Sequence, residues 1–245
     1  MNLHGKRIVI TRAKHQADAL AIILREHGAI PIFYPCIAII PPTDITPLDD
    51  ALSRLSAYDW LLITSANTVE VLHQRLSERA IIADWEALYI GAVGEATAQA
   101  FRLTFNKQSI FTPTRQTAQQ LGWELPILNN EKILLPQSAL AKPTLADILT
   151  QRGAEVRVIT AYQTIPDIGG DDIHPLLARG MIDAVTFASS SAVKHFVMRV
   201  GYVPDVPVVC MGENIAQTAH EAGFARVAVA DDACLDAIAR ALGKI

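Results

Sequence analysis

Short runs of apolar and β-branched residues alternate along the chain with longer segments in which apolar residues recur three or four positions apart. The first pattern is typical of buried strands and the second of amphipathic helices. Strands that alternate with helices predict a parallel α/β protein. The predicted strands are residues 7–11, 30–40, 60–64, 88–91, 133–135, 156–162, 184–187, 206–211 and 226–229.

Proline and glycine mark the expected helix ends. Pro47, Pro143 and Pro175 each stand where a helical pattern begins, and proline suits the first helical turn because its missing N–H would have no partner there. Glycines follow the helical patterns, where the left-handed conformation ends a helix without strain. The predicted helix stops are Gly28, Gly153, Gly180, Gly201 and Gly223.

The chain also repeats itself once, which predicts two similar α/β lobes. Each lobe would hold about five strands, as in a doubly wound sheet of the flavodoxin type. A division between the consecutive copies would fall near residues 126–130. The paired segments are 20–29 with 145–154, 58–69 with 182–193, and 93–98 with 211–216.

The composition of the chain excludes several classes of binding partner. The 245 residues are 51% hydrophobic and 19% charged, with a net charge of −4, which excludes a broadly basic surface for duplex nucleic acid or an anionic membrane. Cys36, Cys210 and Cys234 form no C-x-x-C pair, and no signal peptide or apolar span is expected, so we predict a cytoplasmic protein. The scattered histidines give no support for a metal site.

Four loops, each between a strand and a helix, are candidate anion sites. Helix N-termini present free backbone N–H groups and the positive end of the helix dipole, which suit a carboxylate or phosphate. Hydroxyl side chains in two of the loops can also cap the helix that follows. The positions concerned are Thr64, Ser65, Ala66, Gly94, Ser189, Ser190, Ser191 and Gly212.

Three further side chains could take part in binding or chemistry. Arg12 follows the first strand, Lys142 lies in the equivalent region of the second copy, and Tyr162 ends a long strand. Arginine and lysine would pair with carboxylates, and the tyrosine hydroxyl could donate a proton. No catalytic triad or complete nucleotide-binding motif occurs. The residues alone therefore predict a two-lobed protein that binds a small anion, and they leave its reaction open.

Together these motifs resemble those of the uroporphyrinogen-III synthase family. No single motif is specific, and the resemblance lies in their order, spacing and duplication. The matching segments are 10–12, 64–69, 93–98, 152–156 with 161–164, and 187–191.

The resemblance implies a cyclising hydro-lyase of heme and siroheme biosynthesis. Such an enzyme converts hydroxymethylbilane, a linear tetrapyrrole with eight carboxylates, into uroporphyrinogen III by losing water and inverting ring D. It implies no cofactor, no nucleic acid and no membrane partner. It also implies a monomer that makes at most a transient contact with the preceding enzyme of the pathway.

The resemblance assigns roles to particular residues. Tyr162 matches the family's proposed proton donor, and five hydroxyl residues match positions that line the family's cleft: Thr64, Ser65, Thr97, Ser189 and Ser191. The chain departs from the family at Gln137 and Ser138, where many relatives carry an Arg-Gly turn, and at Ile215, where the first copy has Thr97. We expect carboxylate contacts to differ at these places.

The resemblance further implies that the lobes are interleaved. Residues 1–35 with 168–245 would form one flavodoxin-like doubly wound parallel-sheet domain, and residues 43–159 the other. Residues 36–42 and 160–167 would join them as a two-stranded antiparallel linker. Two alternatives stay open at this point: a non-catalytic binding module for a small polyanion, and a nicotinamide oxidoreductase suggested by Gly91 and Gly94.

Overall fold

Two five-stranded sheets hold the strands of the computed structural model, which describes residues 2–245. The chain divides into two units: unit 1 comprises residues up to Ala38 together with Ile165–Ile245, and unit 2 comprises Ile39–Thr164. The strands are β1 (Arg7–Ile10), β2 (Ile30–Phe33), β3 (Ile37–Ile40), β4 (Trp60–Ile63), β5 (Tyr89–Ala92), β6 (Lys132–Ser138), β7 (Glu155–Pro166), β8 (Ala184–Phe187), β9 (Val208–Cys210) and β10 (Val227–Val229).

Helices connect most of these strands. The helices are α1 (Lys14–Glu26), α2 (Thr46–Leu52), α3 (Ala66–Glu78), α4 (Glu95–Phe105), α5 (Ala118–Glu124), α6 (Thr144–Gln151), α7 (His174–Ala178), α8 (Ser190–Val200), α9 (Glu213–Glu221) and α10 (Leu235–Leu242), with a short 3₁₀ turn at Leu55–Ala57.

The sheet of unit 1 has the order β10-β9-β8-β1-β2, and every neighbouring pair is parallel. The N-terminal strand β1 is therefore central, between β2 and a strand that lies far along the chain. Two buried hydroxyls reinforce this pairing: Thr11 Oγ1 donates to Thr186 O at 2.6 Å, and Thr186 Oγ1 donates to Val9 O at 3.0 Å. Unit 1 therefore combines residues from both ends of the chain. A division between consecutive sequence copies near residues 126–130 does not separate the two units.

The sheet of unit 2 has the order β3-β7-β6-β4-β5, with parallel pairing from β7 through β5. Successive residues of its strand β4 point to opposite faces, so Leu61 and Ile63 pack in one apolar cluster while Trp60 and Leu62 pack in another. Because helices cover both faces, the strand is apolar throughout. This double burial explains the unbroken apolar runs in the sequence.

The sequence repeat is a structural repeat. Strands β2-β1-β8-β9 of unit 1 and strands β7-β6-β4-β5 of unit 2 follow the same spatial order and are joined by helices at matching places. Segment β1-α1-β2 corresponds to β6-α6-β7, although the first begins the chain and the second lies in its middle. The two units thus share the arrangement of their strands and helices, while the corresponding segments follow a different order along the chain in each unit.

The expectation of one strand over residues 30–40 is wrong, because β2 and β3 belong to different sheets. Between them Tyr34 N donates to Ile10 O and Cys36 N donates to Thr11 O, each at 3.0 Å, while Pro35 has no N–H to donate. The placement of Pro143 is also wrong, because it is the N-cap residue of α6 and precedes its first turn.

The predicted helix stops are confirmed: Gly28, Gly153, Gly180, Gly201 and Gly223 all have positive φ, between 62° and 103°. The cysteines are free; Cys36 and Cys210 are buried, and burial raises the pKa of each thiol to about 12, whereas Cys234 is half-buried. Among residues 2–245 no helix is both long and apolar enough to cross a membrane.

Gly170 provides a test of the packing where the chain leaves unit 1. Its φ is +91°, and a Cβ there would lie 2.3 Å from Phe33 O and 2.6 Å from Pro35 Cδ. Gly180 has φ +62° and no atom within 4 Å of such a Cβ. We expect Gly180→Ala to cost about 1 kcal/mol from backbone strain, and Gly170→Ala about 2 kcal/mol more, because backbone must also move. Urea unfolding of both variants measures this difference, and equal costs would contradict the packing.

Candidate active site

The predicted site residues lie where strands end, because parallel strands place all their carboxyl ends, and the helix N-termini that follow, at one edge of a sheet. In unit 2, Thr64 and Ser65 follow β4, Gly94 follows β5, and Lys142 follows β6. In unit 1, Arg12 follows β1, Ser189 follows β8, and Gly212 follows β9. The fold thus collects the candidates of each unit along the carboxyl edge of that unit's sheet.

Ser65 and Tyr162 form the central contact of this edge in unit 2. Ser65 is the N-cap of α3, and its Oγ accepts a hydrogen bond from Thr68 N at 3.2 Å. Two further hydroxyls lie close to Ser65 Oγ: the Tyr162 hydroxyl at 2.9 Å and Thr68 Oγ1 at 3.1 Å. Tyr162 is only 5% exposed, so its hydroxyl is held at the cap of a helix by a largely buried side chain.

The hydrogen-bonding capacity of Ser65 limits how protons are shared here. Its Oγ already accepts from Thr68 N, and a serine hydroxyl has one proton of its own to donate. When that proton points to Tyr162, the tyrosine oxygen accepts it and the tyrosine proton is left for another acceptor. The cap therefore can present Tyr162 as a proton donor.

Ser189 has the matching position in unit 1. It caps α8 in the same extended conformation as Ser65, and its Oγ accepts from Ala192 N at 3.2 Å. Its Oγ also lies 3.1 Å from Ser191 Oγ. The neighbouring Ser190 accepts a 2.9 Å hydrogen bond from Thr218 Oγ1, so the start of α8 is tied to α9.

Gly94 and Gly212 are the N-caps of α4 and α9, and both have extended backbones. A Cβ on Gly94 would lie 2.3 Å from Gln116 Oε1, whereas a Cβ on Gly212 would meet nothing within 4 Å. The carboxamide of Gln116 thus lies beside Gly94, the N-cap of α4. Gln116 lies in a loop with no counterpart in the sequence repeat, so no repeated motif marks it as a site residue.

The remaining candidates differ in exposure. Thr97 is buried in α4 and is 8% exposed, whereas Lys142 is fully on the surface. Arg12 is half-buried, and its Nη2 lies 3.4 Å from Gln16 Oε1. Gln137, one of the departures from the family pattern, is buried beside a register irregularity of β6.

Acidic residues begin two of the helices and would oppose a bound carboxylate unless they turn away. Glu95 opens α4, and its carboxylate accepts a 2.6 Å hydrogen bond from Arg102 two turns further along the helix. The Arg102 guanidinium thereby partly neutralises the negative charge of Glu95. Among residues 2–245 no group of three or more histidine, cysteine, aspartate or glutamate side chains could hold a metal ion.

A family model and the most similar curated proteins indicate the same family for this chain. The family model described as uroporphyrinogen-III synthase HemD matches residues 18–240. The chain is 31% identical over 197 residues to the uroporphyrinogen-III synthase of Synechococcus elongatus, covering 79% of this chain and 74% of that protein. It is 27% identical over 247 residues to the enzyme of that name from Escherichia coli, covering 96% and 99%.

A further relative is longer. The porphyrin biosynthesis protein HemD of Ruminiclostridium josui is 28% identical over 242 residues, which cover 96% of this chain and 48% of that protein. The chain therefore spans about half the length of that relative.

Solved structures share the fold. A uroporphyrinogen III synthase from Thermus thermophilus superposes with a TM-score of 0.63 at 20% identity, covering 98% of this chain and 100% of that one. The uroporphyrinogen-III synthetase of Helicobacter pylori gives 0.58 at 15% identity, covering 96% and 97%. Both share the α/β architecture with parallel sheets. With the family model matched over most of its length, the chain belongs to the uroporphyrinogen-III synthase family, the hydro-lyases that form uroporphyrinogen III in tetrapyrrole biosynthesis.

Proposed function

We propose that this chain closes hydroxymethylbilane to uroporphyrinogen III with Tyr162 as the proton donor. The observation that carries the proposal is the 2.9 Å contact between the Tyr162 hydroxyl and Ser65 Oγ at the carboxyl edge of the sheet of unit 2. A phenol hydroxyl held by a serine that can donate to it suits the departure of the hydroxymethyl oxygen as water.

The reaction balances with one proton given and one returned. The C–O bond of the hydroxymethyl group breaks, the oxygen takes the Tyr162 proton and leaves as water, and the electron pair of the pyrrole nitrogen stabilises the remaining carbon as an azafulvenium cation, with its N–H retained. The substituted carbon of ring D attacks it to give a spiro-pyrrolenine, which fragments and recloses at the other carbon. The ring carbon that closes the macrocycle then loses its proton, which neutralises the Tyr162 phenolate.

Ser65 acts in this scheme as a positioning residue. Its Oγ is fixed by Thr68 N, so its own proton can stabilise the negative charge that develops on the Tyr162 oxygen. Prearranged donors aimed at developing charge commonly lower a barrier more than any other single effect.

The substrate's carboxylates suit the helix N-termini of both units. Amide groups at the starts of α3, α4, α8 and α9, together with Arg12 and Lys142, would bind these groups one at a time. Because the net charge of the chain is −4, local sites of this kind are needed to hold an octacarboxylate.

The proposed function also implies a domain architecture. We propose two flavodoxin-like domains joined by an antiparallel pair of linker strands. The strand order of unit 1 is β2-β1-β8-β9-β10; numbered within the unit it is 2-1-3-4-5, the flavodoxin order, and this supports the proposed domain fold.

We also propose a cytoplasmic monomer that meets the preceding enzyme of its pathway only transiently. The three thiols outside disulfides support a reducing compartment.

The direct test is incubation with enzymatically generated hydroxymethylbilane, followed by separation of the product isomers. We expect isomer III, whereas spontaneous closure gives isomer I. Formation of isomer I alone at the uncatalysed rate, with tetrapyrrole bound to the protein, would replace the proposal with a non-catalytic binding module.

Replacing Tyr162 with phenylalanine removes only the proposed proton donor. We expect the rate of isomer III formation to fall about 10²–10⁴-fold, the usual loss for a general acid. Tyr89→Phe is the control, because Tyr89 is 63% exposed at the amino end of β5. A wild-type rate of isomer III formation by Tyr162→Phe would show that another group donates the proton.

Ser65→Ala and Ser189→Ala form a matched pair. Each serine accepts from the helix at 3.2 Å, so each variant should lose about 1 kcal/mol of stability with its cap. Only Ser65 contacts Tyr162, so kcat should fall further in Ser65→Ala than in Ser189→Ala, and less than in Tyr162→Phe. Steady-state kinetics beside thermal unfolding separates the two effects, and equal kcat values in the pair would refute the positioning role.

A further inference from the structure

Arg199, in the last turn of α8, binds backbone at three places. Its Nη1 donates to Pro35 O at 2.9 Å and to Asp167 O at 3.4 Å, and its Nη2 donates to Ile168 O at 2.8 Å. Its guanidinium carbon also lies 3.7 Å from the centre of the Tyr34 ring. We call Arg199 with these three carbonyls the Arg199 clasp.

The clasp holds both segments that connect the units. The chain passes from unit 1 to unit 2 after Ala38 and returns at Ile165, and the bound carbonyls lie on the unit 1 side of these two points. The segments are also bound to each other: Asp167 N donates to Cys36 O at 3.1 Å, and Asp171 N donates to Phe33 O at 2.7 Å. Arg199 therefore fixes the place at which both segments leave unit 1.

One of these segments continues the strand that carries the proposed proton donor. Strand β7 ends at Pro166, next to the Asp167 whose carbonyl Arg199 binds, and Tyr162 lies in the same strand. Only a few residues of chain separate Tyr162 from Asp167, and a hydrogen-bonded strand transmits the position of one end to the other. The clasp thus controls where one end of the Tyr162 strand is held.

We propose that Arg199 is a positioning residue for the ring closure, by anchoring the strand that carries Tyr162 and the second connecting segment to unit 1 together. The inference rests on the proposed role of Tyr162. The enzyme must keep the azafulvenium cation curled until ring D is attacked at its substituted carbon, and an unanchored strand would let the intermediate close spontaneously to isomer I. A planar guanidinium can bridge two segments in this way, whereas the single ammonium of lysine lacks the fork.

The test compares Arg199→Met and Arg199→Lys with Arg226→Met. Arg226 is a suitable control because it donates to the carbonyl and carboxylate of Asp205 in unit 1 and contacts neither connecting segment. For each variant, hydrogen exchange of the Ile165, Asp167 and Ile168 amides reports the clasp, and kcat, KM and the fraction of isomer I report the reaction. Circular dichroism confirms folding, and Arg199→Lys decides the outcome if Arg199→Met does not fold.

We expect faster exchange at these three amides, a kcat reduced by about tenfold to 10²-fold, little change in KM, and a larger fraction of isomer I. Arg226→Met should match the wild type. Faster exchange with a wild-type kcat and isomer ratio would show that Arg199 is only structural and would overturn the inference. A wild-type protein that makes no isomer III would overturn the proposed function and this inference with it.

Discussion

The pairing of β1 with β8 is the constraint on which the rest of the structure depends. Ile8 lies opposite Ala184, and the buried hydroxyls of Thr11 and Thr186 bond to the backbone across the same pair of strands. The first strand is thus bound to one far along the chain, and most of the residues between them form unit 2. Unit 2 is therefore an insertion with two connections to unit 1, and Arg199 binds backbone carbonyls in both connecting segments.

Parallel pairing also determines where chemistry can take place. It brings every strand's carboxyl end, and every following helix N-terminus, to one edge of each sheet. Helix N-termini at that edge are the proposed carboxylate sites, and they need no basic surface, which suits a chain of net charge −4. In unit 2 the same edge brings a helix-capping serine to a buried tyrosine, the residue proposed above as the proton donor.

Local physics made part of this structure predictable from the sequence. Unbroken apolar runs indicated strands buried on both faces, glycines with positive φ marked helix ends, and Ser65 and Ser189 were expected as caps. The break at Pro35 was missed because apolar residues continue through it, although the chain changes sheets there. The contacts of Ser65 with Tyr162 and of Arg199 with Pro35 were also missed, because residues far apart in the chain meet only after the strand order is known.

Helix N-termini at the carboxyl edges of both sheets are proposed here to bind the carboxylates of the tetrapyrrole. Titration of ¹⁵N-labelled protein with uroporphyrinogen III under anaerobic conditions tests it most directly, since backbone amide resonances report the groups that bind. We expect the largest shifts in the first turns of α3, α4, α8 and α9. Shifts that avoid these turns, or that are confined to the opposite edges of the sheets, would contradict it.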